Sequence, residues 1–213
     1  MDLREISIFK NLSDDEIKIL SAKSQIVEKT YDKGQYIFSF GDESSDIYYL
    51  MEGAISVYQI DSSGKRFIFQ NFTKPTLFGE VYAYLGEPFD FDCQCQEKSR
   101  VLVIKNFRKL FVPPIPENFL ISYINFLSKK CLALSKKNQI TSQASLRKKI
   151  GKFLLENENS NKVELSMKRE DLADYLSTTR PSLSRELSKM ADEGIIELGS
   201  DYIRISRKED LDI

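Results

Sequence analysis

The sequence predicts an α+β chain in three parts: an N-terminal β-roll or jelly roll, one long dimerisation helix and a C-terminal winged helix-turn-helix. Three observations carry this. Between about residues 24 and 105, short β-rich runs alternate with glycines. After a proline-rich break at Pro113-Pro114-Ile115-Pro116, apolar residues recur at spacings of four and three. Finally, 168–196 reads as two short helices around a tight turn, with an apolar hairpin behind them. These features set the boundaries at 1–114, 115–144 and 145–213.

The chain opens on a small helical lead-in. Ser13 and Glu16 form a capping box, in which a hydroxyl and a carboxylate each satisfy one backbone N–H at the helix start. Phe9 precedes the cap as a staple, and Ile17 and Leu20 face inward. Strands are expected at 36–40, 47–51, 54–60, 66–72, 92–96 and 101–104. Gly34, Gly41, Gly53, Gly64, Gly79 and Gly86 mark the turns, and 61–64 is a hairpin loop. Many short strands at near-regular spacing belong to a sandwich or roll.

The helix after the prolines runs to about residue 140. Leu120, Ile124, Leu127, Cys131, Leu134 and Asn138 fall on one heptad seam, with Asn138 as the polar register residue. Such a seam pairs two copies of the chain; the alternative is a helix lying on its own β domain. A second helix at 145–156 and a short strand at 162–167 lead to the helical pair.

In that pair, Leu172, Tyr175 and Leu176 line one side of the first helix, and Ala173 is small enough for a close crossing. Ser177-Thr178-Thr179 supplies the turn and a hydroxyl cap. Pro181 sits in the first turn of the second helix, where a missing N–H costs little. Leu183, Leu187 and Met190 make the buried stripe, and Gly194 ends the helix. The opposite face presents Arg180, Ser182, Ser184, Arg185 and Lys189. A helix fits the major groove of DNA, where arginine grips guanine with two hydrogen bonds and serine reaches bases or phosphates. With Thr178 and Thr179 these residues are the candidate DNA contacts. Two apolar strands around Gly199-Ser200-Asp201 form the wing.

Composition narrows the chemistry. The 213 residues contain no histidine, which excludes histidine triads, histidine-held metals and a histidine-ligated haem. The absence also removes the metal cluster that a cupin-type enzyme would need. Cys93, Cys95 and Cys131 match no zinc pattern and are too few for a four-thiolate cluster. No enzyme activity, metal or cofactor is expected. No apolar run approaches a membrane span and no export signal opens the chain, so the cytoplasm is the expected location. The formal charge is only −1, with the basic excess on the C-terminal side of Pro116. A weakly charged DNA binder must localise its cations, and Arg147-Lys148-Lys149 with Lys152 is one such cluster.

With these parts assembled, the chain resembles the Crp/Fnr bacterial transcription regulators over essentially its whole length. Leu77-Phe78-Gly79-Glu80 looks like the start of the phosphate-binding cassette of cyclic-nucleotide-binding-like domains. Arg180-Pro181-Ser182-Leu183-Ser184-Arg185 looks like the family's recognition helix. The resemblance implies a homodimer on a palindromic double-stranded DNA site, controlled by an effector in the β-roll and touching RNA polymerase.

The departures from the family are specific. The cassette of cyclic-AMP binders continues with an Arg-Ser or Arg-Thr pair that holds the phosphate. Here that region is 86–92, with no cation and with Asp90 and Asp92 instead. The family's usual glutamate in the recognition helix is replaced by Pro181, which removes an acceptor for cytosine N4. Aromatics are dense around the cassette: Phe67, Phe69, Phe72, Phe78, Tyr82, Tyr84, Phe89 and Phe91. Most are expected to fill the core. The excess points to an apolar or aromatic small-molecule effector, unidentified, among Phe78, Gly79, Glu80, Val81, Tyr82, Phe89, Phe91 and Cys93, with Tyr123 and Leu127 from the helix. The alternatives are a redox response through Cys93 and Cys95, or cyclic-nucleotide binding by a degenerate cassette.

Overall fold

Ser13 accepts from the Glu16 N–H while the Glu16 carboxylate accepts from the Ser13 N–H, so the expected capping box starts helix α1, Asp14–Ser21. The computed structural model describes every residue except 1, 63, 65, 166, 212 and 213. Residues 63 and 166, part of the expected hairpin loop and short strand, therefore lie outside the described residues. The chain divides into two compact units at Ser128/Lys129.

The first unit is built on two four-stranded antiparallel sheets. One has the order β1 (Ile26–Tyr31), β8 (Ser99–Ile104), β3 (Ile47–Glu52), β6 (Thr76–Phe78). The other has the order β2 (Tyr36–Phe38), β7 (Asp92–Cys95), β4 (Ile55–Ile60), β5 (Arg66–Phe72). Strands β3 and β8 show why these sequences are apolar at successive positions. Leu50, Val101 and Val103 join a core with Phe38, Ile55, Val57, Cys93 and Cys95 of the second sheet. Their neighbours Ile47, Leu102 and Ile104 join another core with Phe9, Leu20, Phe107, Phe119 and Tyr123. A strand's side chains alternate between faces, so a strand buried on both sides must be apolar throughout.

Between β6 and β7 lies a further helix, α2, Glu80–Leu85, for which no element was expected. It begins after Gly79 at φ +83° and ends at Gly86 at φ +76°. A Cβ on Gly79 would also stand 3.2 Å from the Tyr48 ring, so glycine is required there both by backbone conformation and by space. Helix α3, Glu117–Thr141, follows the prolines and crosses the boundary between the units.

The second unit packs α4 (Leu146–Asn157), α5 (Arg169–Tyr175) and α6 (Arg180–Asp192) with a three-stranded antiparallel sheet. The sheet order is β10 (Ile196–Leu198), β11 (Tyr202–Ile205), β9 (Lys162–Glu164). Its core unites Ile150, Phe153 and Leu154 with Leu172, Ala173, Leu176, Leu183, Leu187 and Met190, and with Ile196, Ile203 and Ile205. Ile140, near the end of α3, belongs to the same core. Among the described residues no helix is long and apolar enough to cross a membrane.

Candidate nucleic-acid interface

The helical pair is locked by its turn. Leu176 donates to Leu172 O and Asp174 O, and Ser177 takes the left-handed conformation at φ +52°. Thr179 caps α6: its hydroxyl accepts from the Ser182 N–H at 3.3 Å. Arg180 and Pro181 then occupy the first turn, and Leu183, Leu187 and Met190 turn inward, each no more than 2% exposed. The 3.6-residue period therefore leaves Arg180, Ser184, Arg185 and Lys189 exposed, with Ser182 half-buried beside them. Thr178 is half-buried and Thr179 exposed. All seven residues lie on one helix and the turn before it.

Each arginine of this face is already held. The Arg185 guanidinium folds back on its own helix, donating to Pro181 O at 3.3 Å and to the Ser182 hydroxyl at 3.5 Å. Arg180 Nη1 lies 2.9 Å from a Glu170 carboxylate oxygen on α5. The wing carries a looser pair, Arg204 and Glu197, 3.9 Å apart across β10 and β11. Its turn needs Gly199, because a Cβ there would fall 2.4 Å from the Tyr202 ring.

The basic cluster expected on α4 does not present a free positive face. Arg147 bonds Glu186 at 2.8 Å and Glu193 at 2.7 Å, tying α4 to α6, and the two carboxylates raise its pKa further. Lys149 donates to Leu176 O, Lys152 pairs with Glu156, and Lys148 also has a partner. These cations serve the fold.

Two residues of this unit escaped the sequence reading. Glu170 lies on α5, and nothing in its local sequence marks it as a partner of Arg180. Arg169 opens α5, with one guanidinium nitrogen buried and without an acceptor among the described residues; burial lowers its pKa. The available signal was a cation in the first turn of a helix, where the dipole disfavours it.

The candidate effector residues are split between two cores. Phe78, Phe89 and Cys93 are buried between the sheets, with Tyr82 and Phe91 packed against them. Tyr123 is buried in the other core and Leu127 lies against it. Glu80 is 2% exposed, whereas Val81 is 46% exposed on the outer side of α2. Within the inter-sheet core the rings pack on one another: Phe89 stacks on Phe38 with centroids 3.7 Å apart, and Tyr82 meets Phe91 edge-on at 5.1 Å. Tyr84 bridges toward the helix, 6.2 Å from Tyr123. Not all the aromatics are core: Phe67 and Phe69 on β5 are 64% and 42% exposed. A surface depression of about 550 Å³ is lined by Lys29, Thr30, Tyr31, Gln35 and Tyr36, none of them in the expected site.

Where a cyclic phosphate would need a cation, Asp90 accepts a hydrogen bond from the Tyr82 hydroxyl at 2.7 Å. Burial, with Asp90 beside it, pushes the Tyr82 phenol up to about 12, so it stays a neutral donor. Asp92 accepts from the Phe40 N–H at 2.9 Å. Two carboxylates in these roles do not fit a phosphate group. Cys93 and Cys95 are 0% and 1% exposed, and burial raises both thiols. Thiolate is the redox-active form, so burial works against oxidation of either thiol.

Along α3 the expected seam residues differ in exposure. Ile124 and Leu134 are 60% and 67% exposed, Cys131 and Asn138 are exposed, and Leu120 and Leu127 are half-buried.

The chain matches two family models, a cyclic nucleotide-binding domain over residues 28–111 and a Crp-like helix-turn-helix domain over 148–212. It is 23% identical to the "Probable transcriptional regulator flp" of Lacticaseibacillus casei, over 97% of this chain and 94% of that protein. Among solved structures, FixK2 from Bradyrhizobium japonicum superposes with TM-score 0.58 at 20% identity, covering 87% of this chain and 95% of that one. A CooA variant from Carboxydothermus hydrogenoformans reaches TM-score 0.66 at 18% identity, covering 99% and 95%. The fold is shared with these structures, and the two matched domains in this order identify the chain as a member of the Crp/Fnr family of transcription regulators, DNA-binding proteins rather than enzymes.

Proposed function

We propose that this regulator acts in the cytoplasm as a homodimer, binds an inverted-repeat promoter site through α6 and contacts RNA polymerase there. The observation that carries the DNA reading is the face of α6, where Arg180, Ser184, Arg185 and Lys189 remain exposed while the opposite stripe is fully buried. Arg185 and Arg180 read base edges, Ser182 and Ser184 add shorter contacts, and Lys189 meets phosphate. Thr178 and Thr179 support the backbone contact from the turn. The dimer forms along Leu120, Ile124, Leu127, Cys131, Leu134 and Asn138. The support is a heptad of which Ile124, Cys131, Leu134 and Asn138 stand exposed in the single chain.

The effector of the β-roll is an apolar or aromatic small molecule rather than a cyclic nucleotide. This reading rests on Asp90 and Asp92 in place of a phosphate-holding cation, and on the rings of Phe78, Tyr82, Phe89 and Phe91. Such a ligand controls the dimer only by binding one of its states better than the other.

The DNA contacts are tested by titrating selected and scrambled duplexes at two salt concentrations. Arg185→Ala should cost roughly 1–3 kcal/mol on the selected duplex and relax guanine preference at one position per half-site. Lys189→Ala should weaken both duplexes alike and flatten the salt dependence. Equal losses on both duplexes for Arg185→Ala would remove it from base reading.

A further inference from the structure

The three acids of α5 have different uses. Asp171 accepts from the Lys168 N–H and closes the helix start. Asp174 is exposed; partial desolvation of its carboxyl, then Asp171, raises its pKa. Glu170 alone reaches the recognition helix, to Arg180 at 2.9 Å, although the pair is more than half exposed on both sides. Arg180 opens α6, so its guanidinium stands at the positive end of that helix dipole, which repels it. Glu170 offsets that repulsion.

We propose that Glu170 is a positioning residue for DNA reading: it holds one edge of the Arg180 guanidinium so that the other edge is presented to a base. This rests on the DNA-reading role of α6 given above. Arginine has five N–H donors in a planar fork, and the carboxylate engages Nη1. The remaining donors still match guanine O6 and N7. The carboxylate also acts against indiscriminate binding. A DNA phosphate that approaches Arg180 must displace an anion already in place and pass close to its charge. A guanine edge brings no such charge and can share the guanidinium with Glu170. Glu170 therefore lowers affinity for any phosphate backbone more than for the correct base, which is specificity obtained by penalising the wrong partner.

The test uses the full chain with wild type, Glu170→Gln, Arg180→Ala and the double variant. Each is titrated on a duplex that the wild type enriches from a random-sequence pool and on a scrambled duplex of equal composition. Glu170→Gln should raise affinity for the scrambled duplex about two- to fivefold, the range of an exposed ion pair. The enriched duplex should gain less, so the ratio narrows and guanine preference relaxes at one position per half-site. In the Arg180→Ala background the same change should leave the ratio where Arg180→Ala sets it. An unmoved ratio in Glu170→Gln, or an equal narrowing without Arg180, overturns the role of Glu170 while leaving DNA binding intact. A wild type that enriches no duplex overturns the DNA reading itself, and this proposal with it.

Discussion

Arg147 is divided between Glu186 and Glu193, so one cation fastens α4 to the middle of α6 and to the residue that caps its end. Its side chain and that of Glu186 are about three-quarters buried, which makes the pair more than a surface contact. Arg147→Met should lower the stability of the C-terminal unit by about 1–2 kcal/mol, because Glu186 loses a charged hydrogen-bond partner in a half-dry place. Urea unfolding should show a lower midpoint at unchanged slope. The pH dependence has a definite sign. Arg147 holds the Glu193 carboxyl below its usual range. That contribution is present above the unfolded-state value and is lost as pH falls through the lower folded-state value. Arg147→Met should therefore lose less stability on acidification than wild type. The residues of the reading face were legible in the sequence, since the helical period alone separates Arg185 and Lys189 from Leu183 and Leu187. The partners were not. Arg180 with Glu170, and Arg147 with Glu193, join residues whose approach depends on the turn and on the helix crossing.

Most elements announced themselves through caps and glycines: α1 by Ser13 and Glu16, α6 by Thr179 and Pro181, the β4–β5 hairpin by Gly64, which donates to Asp61 O at 2.9 Å. Strand β1 was missed because it is an edge strand carrying Glu28 and Lys29, so its solvated face hides the alternation. Strand β6 has only three residues, too few for any period. Helix α2 was missed because Val81, Tyr82 and Tyr84 favour strands; Gly79 and Gly86 bound it, and its buried Glu80 and Ala83 are three apart, the helical spacing. The exposure of Phe67 and Phe69 shows that an aromatic residue on an edge strand is no guarantee of a core position. For α3 the structure sharpens the choice of variant. Leu127 packs on the core of its own unit, so a charge there would damage the protomer as well as a seam. Ile124→Glu and Leu134→Glu change residues that are 60% and 67% exposed. Sedimentation should give dimers for wild type at micromolar concentration and monomers for both variants, with unchanged far-ultraviolet circular dichroism. Wild-type monomers would defeat the seam.

At the scale of the whole molecule, an N-terminal β unit and a C-terminal helix-turn-helix unit are joined by one continuous helix. The N-terminal unit matches the cyclic nucleotide-binding domain model over residues 28–111, yet Asp90 and Tyr82 are bonded to each other where a phosphate would need a cation. Calorimetry with cyclic AMP and cyclic GMP should show no binding tighter than about 1 mM, roughly −4 kcal/mol, the strength left to contacts without a charge clamp. Micromolar affinity for either nucleotide would restore the phosphate site. Twofold reading of DNA through α6 is checked by selecting duplexes from a random pool with the purified chain and sequencing them. The expected product is an inverted repeat whose half-sites lie about 34 Å apart, one helical turn, or a multiple of it. Enrichment of a single unpaired motif, or of no motif, would contradict it.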